Sequence, residues 1–314
     1  MQARAEAEPI LKVSSQDFGC DLDLSQDEVI SLLDLADDVK ATPKRYADSL
    51  RGRSLSLLFE KPSLRTRMTF ELAIKQLGGD AVTSIGMIGD REPVKDVARN
   101  LDRWTQCIVA RVFSQRTIEE LAQWSSVPVI NALSDLYHPC QVLADMMTLR
   151  ERFGSLQGLN LTFVGDGNNV AHSLMLSATR LGANFTIATP PGYQPNQDIT
   201  AEAEGLAAIS GAKLKITTDP EEAVHGANAV YTDVWTSMGE ENEADKRRKA
   251  FRKYQVNESL FSLAAPDAIF MHCLPAHRGE ETTDAVIESP QSAVFDQAEN
   301  RLHAQKALLL MLMD

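Results

Sequence analysis

The fold is decided by residues 53–79, RSLSLLFEKPSLRTRMTFELAIKQLGG. RSLSLLFE (53–60) is a short, mostly apolar run that ends where Lys61-Pro62 begins a loop, a pattern typical of a buried strand. RMTFELAIKQL (67–77) then spaces its apolar side chains as a helix does and stops at Gly78-Gly79. The stretch therefore predicts a strand, a loop and a helix in direct succession.

The same alternation continues after residue 79. An amphipathic helix is also predicted earlier in the chain, at 25–39, with Ser25 as its capping residue. Strands alternating with helices are typical of βαβ units, which build parallel sheets. The further strand-like segments are at 80–85, 107–113 and 127–133, and the helical ones are at 94–105 and 117–126.

A long helical pattern at 140–156 leads to a second series of strands and helices. Its strand-like segments are at 159–164, 184–190, 213–219, 228–235 and 268–275. We therefore predict an α/β fold of two domains, each with a central parallel sheet flanked by helices, and a boundary near 142–150. A last apolar helix at 300–314 must dock on one of them.

Composition narrows the class of protein. The chain has 314 residues with a net charge of −13, which argues against nonspecific binding to nucleic acid. No apolar run approaches the roughly 20 residues that cross a bilayer, and the first residues lack the apolar stretch of a signal peptide. Four widely spaced cysteines indicate a reducing cytoplasm, without zinc. An anionic substrate would need a local cluster of arginines to capture it.

The stretch SLRTR (63–67) provides such a cluster where a strand ends and a helix begins. Unpaired N–H groups at a helix N-terminus favour an anion, and Ser63, Arg65 and Thr66 add directed donors, so phosphate is the natural occupant. The alternative is a helix-capping Ser63 followed by solvated arginines.

Two more strand ends carry polar groups. Arg111 ends one strand and can join the anion site, because ligands gather at the carboxyl ends of parallel strands. HPCQ (138–141) follows another strand, where His138 offers a proton donor and Gln141 an amide that suits a planar carbonyl or amino group. A lone loop histidine is more often structural.

The motif HCLP (272–275) places a thiol beside an imidazole at a further strand end. One interpretation is a Cys273 nucleophile with His272 as its base. Adjacent strand residues point to opposite faces, however, so a buried structural cysteine is the competing interpretation.

The turn GDGNNV (165–170) matches a dinucleotide-binding motif poorly, since it lacks the third glycine and an acidic residue after the next strand. Its amide side chains could instead hold the carboxylate and ammonium of an amino acid. Asp233 ends a later strand before a glycine-containing polar loop, an arrangement that indicates either a substrate cation site beneath a lid or an aspartate capping a turn.

Together these motifs resemble the aspartate/ornithine carbamoyltransferase family over nearly the whole chain. The order FEKPSLRTR, VARVF, HPCQ, GDGNN, DVWTSMG, HCLP and ENR matches that family. The DVWTSMG motif (233–239) resembles the loop of the ornithine branch, which aspartate enzymes lack. The resemblance implies transfer of the carbamoyl group of carbamoyl phosphate to the side-chain amine of ornithine, without a metal or an organic cofactor.

The resemblance also implies the roles of individual residues. It assigns carbamoyl phosphate binding to Ser63, Leu64, Arg65, Thr66, Arg111, His138, Gln141, Cys273, Leu274 and Arg301, and ornithine binding to Asn169, Asp233, Ser237 and Met238. Among these, Arg111 and His138 would stabilise the oxyanion, while Asp233 and Cys273 would orient the amine.

Domain limits and assembly follow from the same resemblance. It implies a carbamoyl phosphate domain at 1–142, an ornithine domain at 143–294, and a helix at 295–314 that returns to the first domain. It further implies a homotrimer whose neighbouring subunit completes the phosphate site through a stretch corresponding to 86–92, where this chain has no glutamine. No nucleic acid or membrane partner is expected.

Competing interpretations remain at this stage. Within the family, the acceptor could be aspartate, putrescine or an N-acylated ornithine. From other classes, the chain could be a cysteine hydrolase that uses Cys273 and His272, or a noncatalytic interaction protein. Assays with different amines, and the effect of thiol alkylation on ester hydrolysis, separate these possibilities.

Overall fold

A computed structural model describes residues 10–236 and 241–313, and within them nine strands form two parallel sheets. The first sheet has the strand order β2-β1-β3-β4. Its central strands are almost wholly buried, as expected of a sheet covered by helices on both faces. These strands are β1 (Ser54–Phe59), β2 (Asp80–Ile85), β3 (Cys107–Arg111) and β4 (Val129–Leu133).

The second sheet has the order β7-β6-β5-β8-β9, so the chain reverses direction across the sheet between β5 and β8. Ligands in open parallel sheets bind beyond the carboxyl ends of the strands at such a reversal. The strands are β5 (Asn160–Val164), β6 (Asn184–Ala188), β7 (Leu214–Thr217), β8 (Ala229–Thr232) and β9 (Ile269–His272).

Helices connect the strands and cover both sheets. Helix α1 begins with the predicted cap, since Ser25 and Glu28 form a reciprocal capping box there. The helices of the first half are α1 (Gln26–Ala41), α2 (Leu64–Gln76), α3 (Val94–Leu101), α4 (Gln115–Trp124) and α5 (Pro139–Phe153). Those of the second half are α6 (Asn169–Arg180), α7 (Gln197–Ser210), α8 (Pro220–Val224), α9 (Ala244–Phe251), α10 (Glu258–Phe261), α11 (Asp284–Ile287) and α12 (Val294–Leu312).

Two buried helices, α5 and α12, join the two halves. Helix α12 packs against α1, α2 and α5 on the first half and also touches β9 of the second sheet. The largest apolar cluster runs through these helices from Leu55 in the first sheet to Phe163 in the second. The predicted α/β fold with two parallel sheets is confirmed, whereas the division near residue 142 stays a prediction because α5 continues through it as one helix.

Two helices begin earlier in the chain than their apolar patterns predicted. Helix α2 begins at Leu64, three residues before the predicted start, because Ser63 caps it. Helix α12 begins at Val294, six residues before the apolar pattern predicted at 300–314 and one residue before the start at 295 that the family resemblance implies. No helix among residues 10–236 and 241–313 is long and apolar enough to cross a membrane.

The core gives a stability test. Phe163 is fully buried in β5 and stacks on Tyr231 with ring centroids 5.7 Å apart. We expect Phe163→Ala to lower the free energy of unfolding by about 3–5 kcal/mol, because it removes a large buried ring and leaves a cavity. Denaturant titration measures the change. Ile209→Ala, at an 84% exposed residue, is the control, and equal losses in both variants would contradict the assignment of the core.

Candidate active site

The start of α2 forms one wall of the site. Ser63 is the N-cap residue, and its Oγ accepts a hydrogen bond from the Thr66 N–H at 3.2 Å. Thr66 is fully buried, while the Leu64 side chain is exposed. Only the backbone of Leu64 is therefore placed to face a ligand at the helix N-terminus, where unpaired N–H groups and the helix dipole favour an anion.

Three arginines from distant parts of the chain meet here. Arg65 lies in the first turn of α2, Arg111 ends β3 and Arg301 lies on α12. Burial lowers the pKa of all three, and for Arg111 the charges of Arg301 and Arg65 add to a fall to about 10. The same three charges, after burial, lower the pKa of His138 well below its usual value, so its imidazole is neutral.

Several donors of this cluster point at no protein acceptor. Within the described part of the chain, Arg111 Nε, Arg301 Nε and His138 Nδ1 are buried without a hydrogen-bond partner. Buried polar atoms in native proteins are nearly always satisfied, so each such atom calls for an explanation. A ligand with several acceptor oxygens and negative charge would satisfy the arginine donors together.

Gln141 and Arg301 connect the cluster to α2. Arg301 Nη1 donates to Gln141 Oε1 at 2.9 Å, and Arg301 Nη2 donates to Thr66 Oγ1 at 2.8 Å. All three side chains are almost completely buried. The fork of the guanidinium thus holds a hydroxyl and an amide in fixed positions beside the anion site.

The second domain contributes a thiol and a carboxylate. Cys273 Sγ donates to Asp233 Oδ1 at 3.0 Å, and Asn168 Nδ2 donates to Asp233 Oδ2 at 2.9 Å. Burial, followed by the charge and hydrogen bond of Asp233, raises the pKa of Cys273 well above its usual value. The charge of Asp233 in turn raises the pKa of Arg65 against the lowering effect of burial, so the two halves of the site face each other.

The imidazole of His272 is not available to the thiol. Its Nδ1 accepts from the Leu274 N–H at 2.8 Å, and its Nε2 lies 3.2 Å from Glu281 Oε1. Asp233, His272 and Cys273 bring three potential metal ligands within 4.8 Å of one another, but each of these groups already has a protein partner. The geometry therefore does not favour a cysteine–histidine catalytic pair.

A cavity of about 680 Å³ lies in the cleft between the halves, and Asn168, which donates to Asp233, is one of its lining residues. Asn169 also lines it and donates through Nδ2 to the Ser134 carbonyl at 2.6 Å, which leaves its Oδ1 for a ligand. His172 bridges the same cleft, since its Nδ1 lies 2.9 Å from the Leu136 carbonyl oxygen of the first half while its Nε2 accepts from the Asn196 N–H. The arginine cluster lies beside this cavity rather than in its lining.

The glycine turn before α6 serves packing. A Cβ on Gly167 would lie 2.2 Å from the backbone nitrogen of Pro195, and the Gly167 N–H donates to the Tyr193 carbonyl at 2.9 Å. The loop that follows β6 therefore occupies the space beside this glycine. Glycine is required here by that close approach.

Sequence reasoning missed several residues of the site. Asn168, which orients Asp233, was visible only as one of two adjacent asparagines. Arg247 on α9 forms an ion pair with Asp166 at 2.6 Å beside the cavity, a contact between residues 81 apart in sequence that no local pattern indicates. The predicted ornithine contacts Ser237 and Met238 lie outside the described residues.

Comparison with known proteins defines the class. The profile of the carbamoyl-P binding domain of aspartate/ornithine carbamoyltransferases matches residues 16–151, and that of the Asp/Orn binding domain matches residues 157–312. The chain therefore belongs to the aspartate/ornithine carbamoyltransferase family.

Individual relatives narrow the comparison. The chain is 49% identical to an ornithine carbamoyltransferase of Thermococcus kodakarensis over 97% of this chain and 98% of that protein. It is 51% identical to one of Symbiobacterium thermophilum over 96% and 99%. Among solved structures, the ornithine carbamoyltransferase of Pyrococcus furiosus matches with a TM-score of 0.93 and 47% identity, covering 98% of this chain and 99% of that one.

The thiol–carboxylate pair gives a chemical test. Only a thiolate is alkylated rapidly, and the raised pKa of Cys273 keeps it protonated at neutral pH. We expect iodoacetamide to label Cys273 slowly in the folded protein and faster in Asp233→Asn, which removes the negative charge beside it. Mass spectrometry of the Cys273 peptide follows the rate. Asp135→Asn, at another carboxylate beside the cleft, is the control, and equal acceleration in both would refute the coupling.

Proposed function

We propose that this chain is an ornithine carbamoyltransferase, which transfers the carbamoyl group of carbamoyl phosphate to the side-chain amine of L-ornithine and yields L-citrulline and phosphate. One observation carries the proposal. The buried arginines Arg111 and Arg301, the half-buried Arg65 and a neutral His138 together face the Cys273–Asp233 pair. Such a site can bind an anion at one end and an amine at the other.

Carbamoyl phosphate would bind at the start of α2. Its phosphate would be held by the Ser63 and Thr66 hydroxyls, the Leu64 backbone and the guanidinium groups of Arg65 and Arg111. Binding would occupy donors that have no protein acceptor among the described residues, such as Arg111 Nε. The fit explains why like charges are buried together.

The carbamoyl group would lie between the two domains. Its oxygen would face Arg111 and His138, whose donors stabilise the negative charge that develops when the carbonyl carbon becomes tetrahedral. Its NH2 group would donate to Gln141 Oε1 and to the carbonyl of Leu274. Leu274 adopts a left-handed backbone with φ of 56°, held by the hydrogen bond from its N–H to His272.

Ornithine would enter through the cavity beside Asn169. Its side-chain ammonium has a pKa of about 10 in water, so it must lose a proton before its nitrogen attacks the carbonyl carbon. Asp233 and Cys273 would orient the amine, while Asn169 with Ser237 and Met238 would hold the amino-acid end. Attack forms the carbon–nitrogen bond, the carbon–oxygen bond to phosphate then breaks, and the departing phosphate accepts the proton that the attacking nitrogen loses.

N-acetylornithine is a second candidate acceptor of the carbamoyl group. One solved structure with 32% identity and a TM-score of 0.86, covering 95% of this chain and 99% of that one, is an acetylornithine transcarbamylase complexed with acetylcitrulline. The cavity of about 680 Å³ has room for a larger amine than ornithine. Assays with ornithine, N-acetylornithine, putrescine and aspartate distinguish the acceptors, and we expect ornithine to give the highest kcat/KM.

The principal experiment is citrulline formation by the purified protein from ornithine and carbamoyl phosphate. Arg111→Ala should lower kcat by roughly 10²–10³-fold or more, because it removes a charged oxyanion donor. Arg116→Ala, at an exposed arginine five residues later, is the matched control. Near-normal turnover of the Arg111 variant would remove this residue from the mechanism.

Cys273→Ser should weaken turnover and amine binding without trapping a covalent intermediate, because the thiol is proposed to position the amine rather than to attack. Intact-mass measurement of enzyme quenched during turnover tests this. A carbamoyl adduct on Cys273 would overturn direct attack by ornithine.

We also propose that three copies associate and that residues 86–92 of a neighbour complete the phosphate site. Support comes from β2, an edge strand whose exposed apolar side chains continue onto the start of α2. Val82, Ile85 and Met87 each expose more than half of their surface, and so does Leu64.

A charge in this apolar surface should prevent association. We expect Ile85→Glu to shift the protein from the mass of three chains toward that of one, measured by light scattering during gel filtration, and to lower activity. Ile209→Glu, at an isolated exposed isoleucine on α7, should leave the mass unchanged. A trimer that persists in the Ile85 variant would place the interface elsewhere.

A role in arginine biosynthesis in the cytoplasm completes the proposal. One relative, from Pyrococcus furiosus, is named an anabolic ornithine carbamoyltransferase, with 48% identity over 97% of this chain and 98% of that protein. The four cysteines are free thiols, the state typical of reducing compartments.

A further inference from the structure

A continuous set of buried polar side chains crosses the interior between the two sheets. It begins at Thr66 on α2 and passes through Arg301 to Gln141, as described above. Gln141 Nε2 then donates to Asp145 Oδ1 at 2.9 Å, and Gln297 Nε2 donates to the same oxygen at 2.7 Å. Each of these side chains exposes at most 2% of its surface.

The far end of this set reaches the second sheet. Gln297 Oε1 accepts from the His272 N–H at 3.0 Å, at the last residue of β9 and one residue before Cys273. Gln297 Nε2 also donates to the Tyr231 hydroxyl on β8 at 3.0 Å. Asp145 therefore lies between two parts of the proposed carbamoyl site. One is Gln141 in the first half, and the other is the end of β9 in the second half.

Asp145 determines which atom of Gln141 faces the ligand. A side-chain amide can present its oxygen or its nitrogen, depending on its hydrogen-bond partners. On one side of Gln141 stands a carboxylate, which accepts, and on the other side stands Arg301, which only donates. The opposite orientation would set the amide NH2 against the guanidinium and leave Asp145 facing an oxygen.

The proposed chemistry requires this orientation. The NH2 group of carbamoyl phosphate is a donor, so it needs the Gln141 oxygen and would be repelled by the Gln141 NH2. Burial raises the pKa of Asp145 to about 7, against the lowering effect of the hydrogen bonds from Gln141 and Gln297. In either protonation state the carboxyl group keeps an oxygen that can accept from both amides.

We propose that Asp145 is a positioning residue for carbamoyl phosphate, because it fixes the Gln141 amide with its oxygen toward the ligand and ties it through Gln297 to the strand that ends at His272. The proposal rests on the function proposed above. Asp145 itself contacts no reacting atom in this scheme.

A double-mutant comparison tests the proposal. Asp145→Leu keeps the approximate volume but removes the acceptor, and we expect the KM for carbamoyl phosphate to rise about ten-fold or more, the effect of one misplaced buried hydrogen bond. The KM for ornithine should change less than about two-fold. In a Gln141→Leu background, adding Asp145→Leu should change the KM for carbamoyl phosphate by less than about two-fold, because the amide that it positions is gone.

Thr148→Val is the matched control. Thr148 lies on α5 one turn beyond Asp145, is equally buried, and accepts a hydrogen bond from Asn300 at 3.0 Å, but it does not contact Gln141. We expect a lower melting temperature and an unchanged KM for carbamoyl phosphate. Independent, multiplying effects of Asp145→Leu and Gln141→Leu would overturn the positioning role.

If Asp145→Leu fails to fold, exchanging the amide and the carboxylate between residues 141 and 145 tests the same proposal. Gln141→Glu would place two carboxylates against each other and raise the KM for carbamoyl phosphate, while adding Asp145→Asn would restore a donor–acceptor pair and recover at least part of the loss. No recovery in the double variant would contradict the proposal. Wild-type citrulline formation is measured alongside, so failure of the function and failure of the Asp145 role are distinguishable.

Discussion

The interaction on which the site depends is the repulsion among the guanidinium groups of Arg65, Arg111 and Arg301. The fold buries Arg111 and Arg301 and half-buries Arg65. Burying like charges is costly unless something compensates them. Two carboxylates stand nearby, Asp145 among the first-half residues and Asp233 across the cleft, yet arginine donors remain without protein acceptors among the described residues. The arrangement fits the proposed binding of an anion, for which these donors would already be oriented.

The topology makes this crowding possible. Parallel strands bring their carboxyl ends to one edge, which places Arg111 near the start of α2, and the last helix returns from the second sheet to deliver Arg301. Thr66 and Arg301 are 235 residues apart in sequence and 2.8 Å apart in space. Because α12 packs on both halves, one face of this helix contacts both the start of α2 and the end of β9. A change in the position of α12 would therefore affect both ends of the site.

Much of the fold was predictable from local pattern. The buried strands β1, β3 and β4 of the first sheet lie within the predicted apolar runs. Ser63 caps α2, a role that was predicted only as the alternative to phosphate binding. The meeting of Arg65 and Arg111 was also predictable, since both follow strands of one parallel sheet, whereas the binding of an anion between them stays a prediction. The contacts of Asp145 and Gln297 were not predictable from the sequence, because a single polar residue on a buried helix face carries no periodic signal. Their role arises from contacts between elements that are far apart in the chain.

The state of the thiol argues for the kind of reaction that the site supports. A nucleophilic cysteine needs a lowered pKa and a base that takes its proton. Here burial and Asp233 raise the pKa of Cys273, and the nitrogens of His272 are engaged by Leu274 and Glu281. A carboxylate that accepts from a neutral thiol can also accept from an amine, so this pair is suited to orient a substrate nitrogen. The nucleophile must then come with the substrate, which is what transfer to an amine requires.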